Sequence, residues 1–339
     1  MIGISFYLND PLAENRIIEA SKKGVKRAFT SLHIPEETGD LATRAKKLLQ
    51  VAKENEIEVF ADVSLKTPSH LGLRRLEDLS SLGVVGLRLD DFFDHDVIVN
   101  LSKQFRIALN ASIILESELL TLLESGLVAD RLIAWHNFYP RRETGLADSF
   151  FQKQNNLYKQ HNIPICAYVP GRGEKRGPLF EGLPTLEKHR RIDPFVAAIE
   201  LCQMGIEDIY IGDPDSGEEL LNQLIQFEQD KILPIRIQSS VLKTGRYRPR
   251  PDFARDVLRL MNTRSTESIL QSTTVERPVG TLTMDNDLYG RYCGEVSITL
   301  QDLPADERVN VIGRVIPEDL PLLALLQPGQ DVYLNCVEN

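Results

Sequence analysis

The feature that most constrains this chain is a strand–loop–helix module that repeats along the first two thirds of the sequence. Apolar runs rich in β-branched and aromatic residues occur eight times, at 2–7, 27–34, 57–63, 84–90, 105–111, 131–138, 163–169 and 207–212. Because segments of helical periodicity lie between these runs, the pattern predicts an α/β fold, the (β/α)8 TIM barrel. A doubly wound open sheet is the alternative, but it normally has a glycine-rich first turn, whereas this turn reads YLNDP.

Helix start and stop signals agree with this spacing. Asp10-Pro11 and Asp193-Pro194 each place a capping Asp before a first-turn Pro. Leu12 and Ile17 are expected on the apolar face of the first helix. Helical segments are followed by glycine where a left-handed residue is expected, at Gly24, Gly83, Gly126 and Gly205.

The pattern changes after an eighth helix near 216–230. The stretch 235–255 contains the basic run KTGRYRPRP at 243–251, which is a poor candidate for regular structure. Alternating runs at 279–284, 294–300, 308–316 and 331–337 then predict strands, with one short helix near 318–326. We therefore predict a barrel domain over residues 1–235 and a small β-rich domain over 243–339.

Charge and composition exclude several classes of protein. The 339 residues carry 39 Lys and Arg against 49 Asp and Glu, a net charge of −10, and duplex nucleic acid normally requires a basic excess. No apolar run is long enough to cross a bilayer, and the N-terminus lacks the pattern of a signal peptide. The four cysteines show no CxxC spacing. These features predict a cytoplasmic protein with reduced thiols and no membrane or nucleic-acid partner.

In a TIM barrel the active site lies at the carboxyl ends of the strands, so the polar residues there are the candidates. Asp62, Asp90, Asp213 and Glu36 are the carboxylates in this position, and the pair Asp90-Asp91 suits acid–base chemistry, although adjacent strand residues point to opposite faces. Candidates for substrate binding at the strand ends are Tyr7, His33, Arg88, Asn110, His136, Asn137, Tyr168 and Asp213. Such a set suits a ligand with many hydroxyl groups.

The loop after the seventh strand is locally basic in an acidic protein. It runs from PGRGEKRGP at 170–178 to EKHRR at 187–191. Barrel phosphate sites are commonly built from the loops after strands seven and eight, so this loop is either a cradle for a phosphate or carboxylate, or a solvated basic loop.

Other chemistries find little support in the sequence. His33 with Glu36 and His136 lacks the spacing of a metal site, and Lys66 is better explained as a surface lysine than as a Schiff-base residue. No GxSxG, Walker A or dinucleotide-binding motif occurs. Trp135 is expected in the core.

Several long motifs resemble the bacterial 6-phospho-N-acetylmuramidase family across essentially the whole chain. They are FTSLHIPEE at 29–37, GLRLDDF at 86–92, HNFYPRRETGL at 136–146, RGPLFEGLPTLEKHR at 176–190, IGDP at 211–214, and DN, YGRY and VNVIG at 285–286, 289–292 and 309–313. The segment GRGEK at 171–175 departs from the family pattern and could shift specificity.

The resemblance implies a cytoplasmic glycoside hydrolase of peptidoglycan recycling. It implies cleavage of the β-1,4 bond of N-acetylmuramic acid 6-phosphate–N-acetylglucosamine, and a TIM barrel followed by a cyclophilin-like β-barrel domain. No cofactor or metal is expected. Two other classes remain alternatives: a phosphosugar epimerase or aldolase on the same barrel, and a non-catalytic phosphosugar-binding protein.

Such a substrate allows provisional roles for the candidate residues. Arg176 with the Gly177 backbone is expected to bind the phosphate, and Arg141 the lactyl carboxylate. Asp90 is the preferred general acid, with Asp62 or Glu36 as nucleophile, base or orienting group, and the stereochemical outcome left open. His33, Asn110, His136, Asn137 and Tyr168 would orient ring substituents. The second domain could contribute Tyr247, Arg248 or Arg291 across the barrel mouth, as a lid or in a homodimer.

Overall fold

The structure, a computed structural model, describes residues 1–33, 41–89, 93–127 and 129–337. The chain divides into two compact units, residues 1–228 and 229–339. In the described part of the chain, no helix is long and apolar enough to span a membrane.

The first unit is a closed barrel of eight parallel strands, as predicted. Each strand pairs with its neighbours in sequence, and the first closes on the eighth through Ile2–Ile209 and Gly3–Tyr210. All eight predicted runs contain a strand. The strands are β1 (Ile2–Ser5), β2 (Arg27–Ser31), β3 (Glu58–Val63), β4 (Val84–Leu89), β5 (Arg106–Asn110), β6 (Leu132–Trp135), β7 (Ile165–Val169) and β8 (Asp208–Ile211).

Helices follow the strands and complete the (β/α)8 pattern. They are α1 (Ala13–Lys22), α2 (Leu41–Glu54), α3 (Thr67–His70), α4 (His95–Ser102), α5 (Glu116–Glu124), α6 (Asp148–Gln160), α7 (Pro194–Gln203) and α8 (Leu220–Asp230). Short 3-10 helices lie at Leu76–Leu82, Ala129–Arg131 and Glu187–Arg190. The buried face of α2 repeats at helical spacing, through Ala45, Leu48, Leu49 and Ala52.

The helix boundary signals were mostly correct. Asp193 caps α7 by accepting the Phe195 N–H at 2.9 Å, with Pro194 at the first helical position. Asp10 instead accepts the Leu12 N–H in the turn before α1, so its prediction as a cap was wrong. Leu12 is 48% exposed and does not join the apolar face of that helix. The four glycines predicted after helices all have positive φ.

The barrel interior is filled by aromatic rings, which form a floor beneath the carboxyl ends of the strands. Trp135 is fully buried, and its ring centroid lies 4.4 Å from that of Tyr210 and 5.2 Å from that of Phe60. Phe29 and Tyr168 pack edge to face at 5.5 Å. The prediction that Trp135 belongs to the core is confirmed. All four cysteines are free thiols, and Cys166 is buried in β7.

The second unit contains one mixed sheet of seven strands. These are β9 (Leu233–Ser239), β10 (Gly245–Tyr247), β11 (Val257–Arg259), β12 (Thr281–Asp285), β13 (Val296–Thr299), β14 (Val309–Val315) and β15 (Val332–Cys336), in the order β10-β15-β9-β14-β12-β13-β11. The β15–β9 pair is parallel and the other pairs are antiparallel. The helix α9 (Leu320–Leu323) follows a 3-10 turn at Pro317–Asp319. The likeness to cyclophilin stays a prediction.

The prediction that the basic run at 243–251 lacks regular structure was wrong, because β10 lies within it. The segment before this run forms β9, whose alternate residues Leu233, Ile235 and Ile237 are fully buried. Arg246 and Arg248 of the basic run form ion pairs with the buried Asp331. This acidic partner, which is distant in sequence, neutralises part of the charge that favoured a loop.

Candidate active site

The carboxyl ends of β3 and β4 carry a buried ion pair. Asp62 and Arg88 are partners in the strand register, and Arg88 Nη1 donates to Asp62 Oδ1 at 2.9 Å. Both residues are buried, with 7% and 5% exposure. Removing two charges from water costs more free energy than a surface ion pair contributes to stability. A buried pair at this end of a TIM barrel is therefore typical of a functional site.

Asn137, which follows β6, extends this pair. Its Oδ1 accepts a hydrogen bond from Arg88 Nη2, and its backbone carbonyl accepts one from Thr185 Oγ1 at 2.9 Å. Arg88 therefore donates to a carboxylate on one side and to a neutral amide on the other. The structure thus brings together the predicted residues Asp62, Arg88 and Asn137.

Tyr168 lies at the end of β7, over the aromatic floor. Its side chain is 1% exposed, and its hydroxyl has no hydrogen-bond partner among the residues that the structure describes. Burial raises the pKa of this phenol well above its usual value, with Asp62 and Tyr7 adding to the shift and Arg88 opposing it. Tyr168 therefore stays protonated and can donate to a ligand.

Tyr7 and Phe138 hold the guanidinium of Arg176. Its central carbon lies 4.0 Å from the ring centroid of Tyr7 and 5.8 Å from that of Phe138. The Tyr7 hydroxyl donates to the Gly212 carbonyl at 2.6 Å, and burial raises the pKa of this phenol. The ring of Tyr7 thus supports Arg176 from one face, and its hydroxyl also interacts with the Arg176 side chain.

Asp213, at the end of β8, organises the β7–α7 loop. It is 1% exposed, and its two carboxylate oxygens accept the N–H groups of Gly171 and Arg176, each at 3.0 Å. Lys175 Nζ lies 3.7 Å from the same carboxylate. Burial raises the pKa of Asp213, and these donors oppose the shift. A side chain at Gly171 would come within 2.0 Å of the Asp215 carbonyl, so glycine is required there.

His136 is fully buried, and both ring nitrogens contact protein groups. Nδ1 lies 3.2 Å from Ser112 Oγ, and Nε2 lies 2.8 Å from Asn155 Oδ1 on α6. The ring also packs on Phe151 of α6 at a centroid distance of 4.5 Å. Burial lowers the pKa of His136 to about 4. Its ring therefore faces the layer between strand and helix, and a direct bond to a sugar would require one of these contacts to break.

The other predicted binding residues lie at the end of β5 or on loops. Asn110 is buried, and its Oδ1 accepts the Ser112 N–H at 3.2 Å. His33 is half-buried after β2, Arg141 is exposed on the β6–α6 loop, and Gly177 follows Arg176. Asp90 and Glu36 lie outside the described residues, so their predicted roles stay predictions.

Arg190, which was not among the residues predicted from the sequence, connects the two long loops. Its guanidinium donates to the carbonyls of Tyr139 and Arg141 after β6 and to that of Gly182 after β7. It also forms a bidentate pair with Glu187, which lowers the pKa of that carboxyl to about 2. No local signal distinguishes Arg190 from its basic neighbours.

Among residues 1–33, 41–89, 93–127 and 129–337, no cluster of three His, Cys, Asp or Glu side chains could hold a metal ion. The chemistry available in the described part of the site is that of a carboxylate, guanidinium groups, amides and phenols. A TIM barrel with a buried carboxylate at its mouth and cations on the adjacent loops is typical of an enzyme acting on an anionic, hydroxyl-rich substrate.

Family comparisons agree with this class. The model of the 6-phospho-N-acetylmuramidase N-terminal region matches residues 2–226, and that of the C-terminal region matches residues 226–335. The chain belongs to the 6-phospho-N-acetylmuramidase family, and it is accordingly a glycoside hydrolase whose family implies a phosphosugar substrate.

Two solved structures resemble the whole chain. A conserved protein from a locus in Enterococcus faecalis, described as of unknown function, is 38% identical with a TM-score of 0.88, covering 99% of this chain and 96% of that one. An uncharacterised B. cereus protein is 28% identical with a TM-score of 0.79, covering 99% of both chains. None of the curated proteins matches the sequence.

Proposed function

We propose that this protein hydrolyses the β-1,4 bond between N-acetylmuramic acid 6-phosphate and N-acetylglucosamine, in the cytoplasm, as a step of peptidoglycan recycling. The observation that carries this proposal is the buried Asp62–Arg88 pair at the strand ends of a barrel whose β7–α7 loop presents Arg176. A carboxylate for glycoside chemistry and a cation for phosphate thus occur at the same end of the barrel.

The phosphate is assigned to Arg176 and the Gly177 backbone. Arg176 is oriented by the Tyr7 ring and by the hydrogen bond from its backbone N–H to Asp213. Because the loop is already ordered, substrate binding costs less conformational entropy. Guanidinium groups bind phosphate through charge-assisted hydrogen bonds. Arg141, exposed on the neighbouring β6–α6 loop, is assigned to the lactyl carboxylate.

Asp62 is assigned to the ionised member of a carboxylate pair. The Arg88 guanidinium at 2.9 Å stabilises Asp62 as a carboxylate, which suits a nucleophile, a base or an orienting group rather than a proton donor. Asp90 is then the proposed general acid, and Glu36 the alternative to Asp62. In this scheme the acid protonates the leaving oxygen of N-acetylglucosamine, and a water oxygen ends on C1 of the muramyl sugar.

The neutral groups at the mouth are proposed to orient the sugar. Tyr168 offers a protonated phenol without a protein partner in the described residues, and Asn137 lies between Arg88 and the β7–α7 loop. His33 and Asn110 are proposed to contact ring substituents. A homodimer also stays a prediction, which light scattering on the purified protein tests.

Family membership favours hydrolysis over the two alternative classes. An aldolase of the Schiff-base type needs a lysine at the mouth, and Lys66, the lysine considered for this role, is exposed on the loop after β3. A protein that only binds the phosphosugar needs no reactive carboxylate, whereas Asp62 lies at the strand ends where TIM-barrel enzymes perform their chemistry.

The proposal is tested by incubating the purified protein with the 6-phosphorylated disaccharide and with its unphosphorylated counterpart in oxygen-18 water without added metal. We expect cleavage of the phosphorylated compound alone, with one labelled oxygen in N-acetylmuramic acid 6-phosphate and none in N-acetylglucosamine. The pure products in the same water control for exchange at the anomeric carbon. Saturable binding without cleavage, or equal cleavage of both compounds, would contradict the proposal.

A further inference from the structure

A chain of buried hydrogen bonds joins helix α6 to the barrel mouth. It runs from Asn155 on α6 through His136 and Ser112 to the backbone N–H of Asn137, which donates to Ser112 Oγ at 2.9 Å. Asn155, His136 and Ser112 are 2%, 0% and 5% exposed. We refer to these four residues as the relay.

The relay has a definite direction. The N–H at His136 Nε2 donates a hydrogen bond to Asn155 Oδ1, so in the neutral ring Nδ1 carries the lone pair. Nδ1 therefore accepts a hydrogen bond from the Ser112 hydroxyl. The lone pairs of Ser112 Oγ are then available to accept the hydrogen bond from the Asn137 N–H. Burial keeps the imidazole neutral, since it lowers the pKa of His136 to about 4. With the opposite tautomer, Ser112 would have to accept from both His136 and Asn137.

The far end of the relay reaches the candidate catalytic carboxylate. Asn137, held at its N–H by Ser112 and at its carbonyl by Thr185, directs its Oδ1 to Arg88 Nη2. Arg88 Nη1 donates to Asp62. A guanidinium is planar and rigid, so fixing one of its edges also fixes the direction in which the other donates.

We infer that His136 is a positioning residue, which acts through Ser112 and Asn137 to hold Arg88 and thereby the Asp62 carboxylate in its working orientation. The inference rests on the proposed function for its effect on catalysis. It also replaces the expected contact between His136 and the sugar with an indirect role. Replacing a group that orients a reacting residue through a hydrogen bond commonly lowers activity by about 10- to 100-fold.

Three variants of the relay test this role. Ser112→Ala removes the hydroxyl, His136→Phe removes the ring nitrogens, and His136→Asn retains an acceptor near the place of Nδ1. We expect the first two to lower kcat by about 10- to 100-fold with KM within about threefold, the range seen for groups that support a reacting residue. The Asn variant should keep kcat within about threefold of the native value.

Ser102→Ala is the matched control. Ser102 is fully buried, and its hydroxyl donates to the Val99 carbonyl within α4, outside the relay. The substitution therefore removes a comparable buried hydrogen bond, and kcat should not change. If Ser102→Ala lowers kcat as much as Ser112→Ala, the effect comes from lost stability, and the inference is wrong.

Hydrogen exchange at the Asn137 amide tests the relay without any substrate. Exchange should be at least about tenfold faster in Ser112→Ala and His136→Phe than in the native protein or His136→Asn, because the acceptor of this N–H is lost or misdirected. Unchanged exchange in both variants would overturn the inference. A native protein that does not cleave the disaccharide would contradict the proposed function, while this measurement would still decide whether His136 and Ser112 hold Asn137.

Discussion

Two Asp–Arg pairs among the described residues lie at opposite ends of the barrel, and their surroundings differ. At the amino-terminal end, Arg27 Nη1 donates to Asp208 at 2.6 Å. Further charges surround this pair: Arg27 Nε also donates to Glu58, and the Met1 amino group lies 3.5 Å from Asp208. At the carboxyl end, Arg88 donates to Asp62 and to the neutral amide of Asn137.

This difference separates a structural pair from a functional one. The charges around Asp208 and Arg27 compensate one another within the protein, which suits the end of a TIM barrel that contributes stability. The Asp62–Arg88 pair lies at the end where such enzymes do their chemistry, near a loop bearing cations and the Tyr168 phenol, which has no hydrogen-bond partner within the described part of the chain. The same two residue types thus have different predicted consequences when they are replaced at the two ends.

Asp62→Asn gives the largest expected effect. We expect kcat for the phosphorylated disaccharide to fall by about 10³-fold, because a carboxylate in acid–base or nucleophilic chemistry contributes on that scale, with little change in KM. Asp208→Asn is the control. It should retain kcat within about twofold and lower the free energy of unfolding by about 1 to 3 kcal/mol, since Glu58 still compensates Arg27. Equal loss of kcat in both variants would remove the distinction between the two ends.

The stability of the protein should also depend on His136 in acid. Its pKa falls from the usual 6.5 to about 4 on folding, so the unfolded chain takes up this proton first as the pH falls. Between pH 6.5 and 4 the free energy of unfolding of the native protein should therefore fall by roughly 3 kcal/mol more than that of His136→Asn. Urea unfolding of both proteins at pH 7 and near pH 4 measures this difference. Parallel pH dependence would show that His136 is not buried as a neutral ring.

Arg176→Ala tests the loop beside the Asp62–Arg88 pair. We expect KM for the phosphorylated disaccharide to rise by about 10- to 100-fold, because charge-assisted hydrogen bonds contribute about 1.5–3 kcal/mol, while kcat changes little. Arg191→Ala is a suitable control, since Arg191 is an exposed arginine of the same loop. If both variants bind equally weakly, the loop acts through its overall charge rather than through a phosphate contact.

Arg141→Ala is expected to have the smallest effect. Its guanidinium is exposed, so screening by solvent limits the contribution to about 3- to 10-fold in KM for the muramyl substrate. A phosphorylated analogue that lacks the lactyl group provides the control and should be unaffected by the substitution. An equal loss with both compounds would assign Arg141 to another part of the ligand.

The barrel could be predicted from sequence because every strand is an apolar run between helical segments. The rule that chemistry lies at the carboxyl ends then selected Asp62, Arg88 and Asn137, which the structure brings together. The orientation of the His136 side chain could also be predicted from the sequence. Trp135 points into the barrel, and since side chains alternate along a strand, the next residue points toward the helices.

Other features depend on contacts between residues that are distant in sequence. Pro234 and the basic residues that follow concealed β9, which is buried through its pairing with β14 and β15. No local sequence pattern predicts the hydrogen bonds of Arg190 to four loop carbonyls, or those by which Asp213 holds Gly171 and Arg176. Their roles follow from tertiary structure alone.

A crystal structure of the Asp62→Asn variant with the uncleaved phosphorylated disaccharide tests the central claim most directly. We predict that the scissile oxygen lies at the carboxyl ends of β3 and β4, with the phosphate within hydrogen-bond distance of Arg176 and the Gly177 N–H. A disaccharide bound elsewhere, or a phosphate directed away from the β7–α7 loop, would contradict the assignment of this end of the barrel as the site of glycoside cleavage.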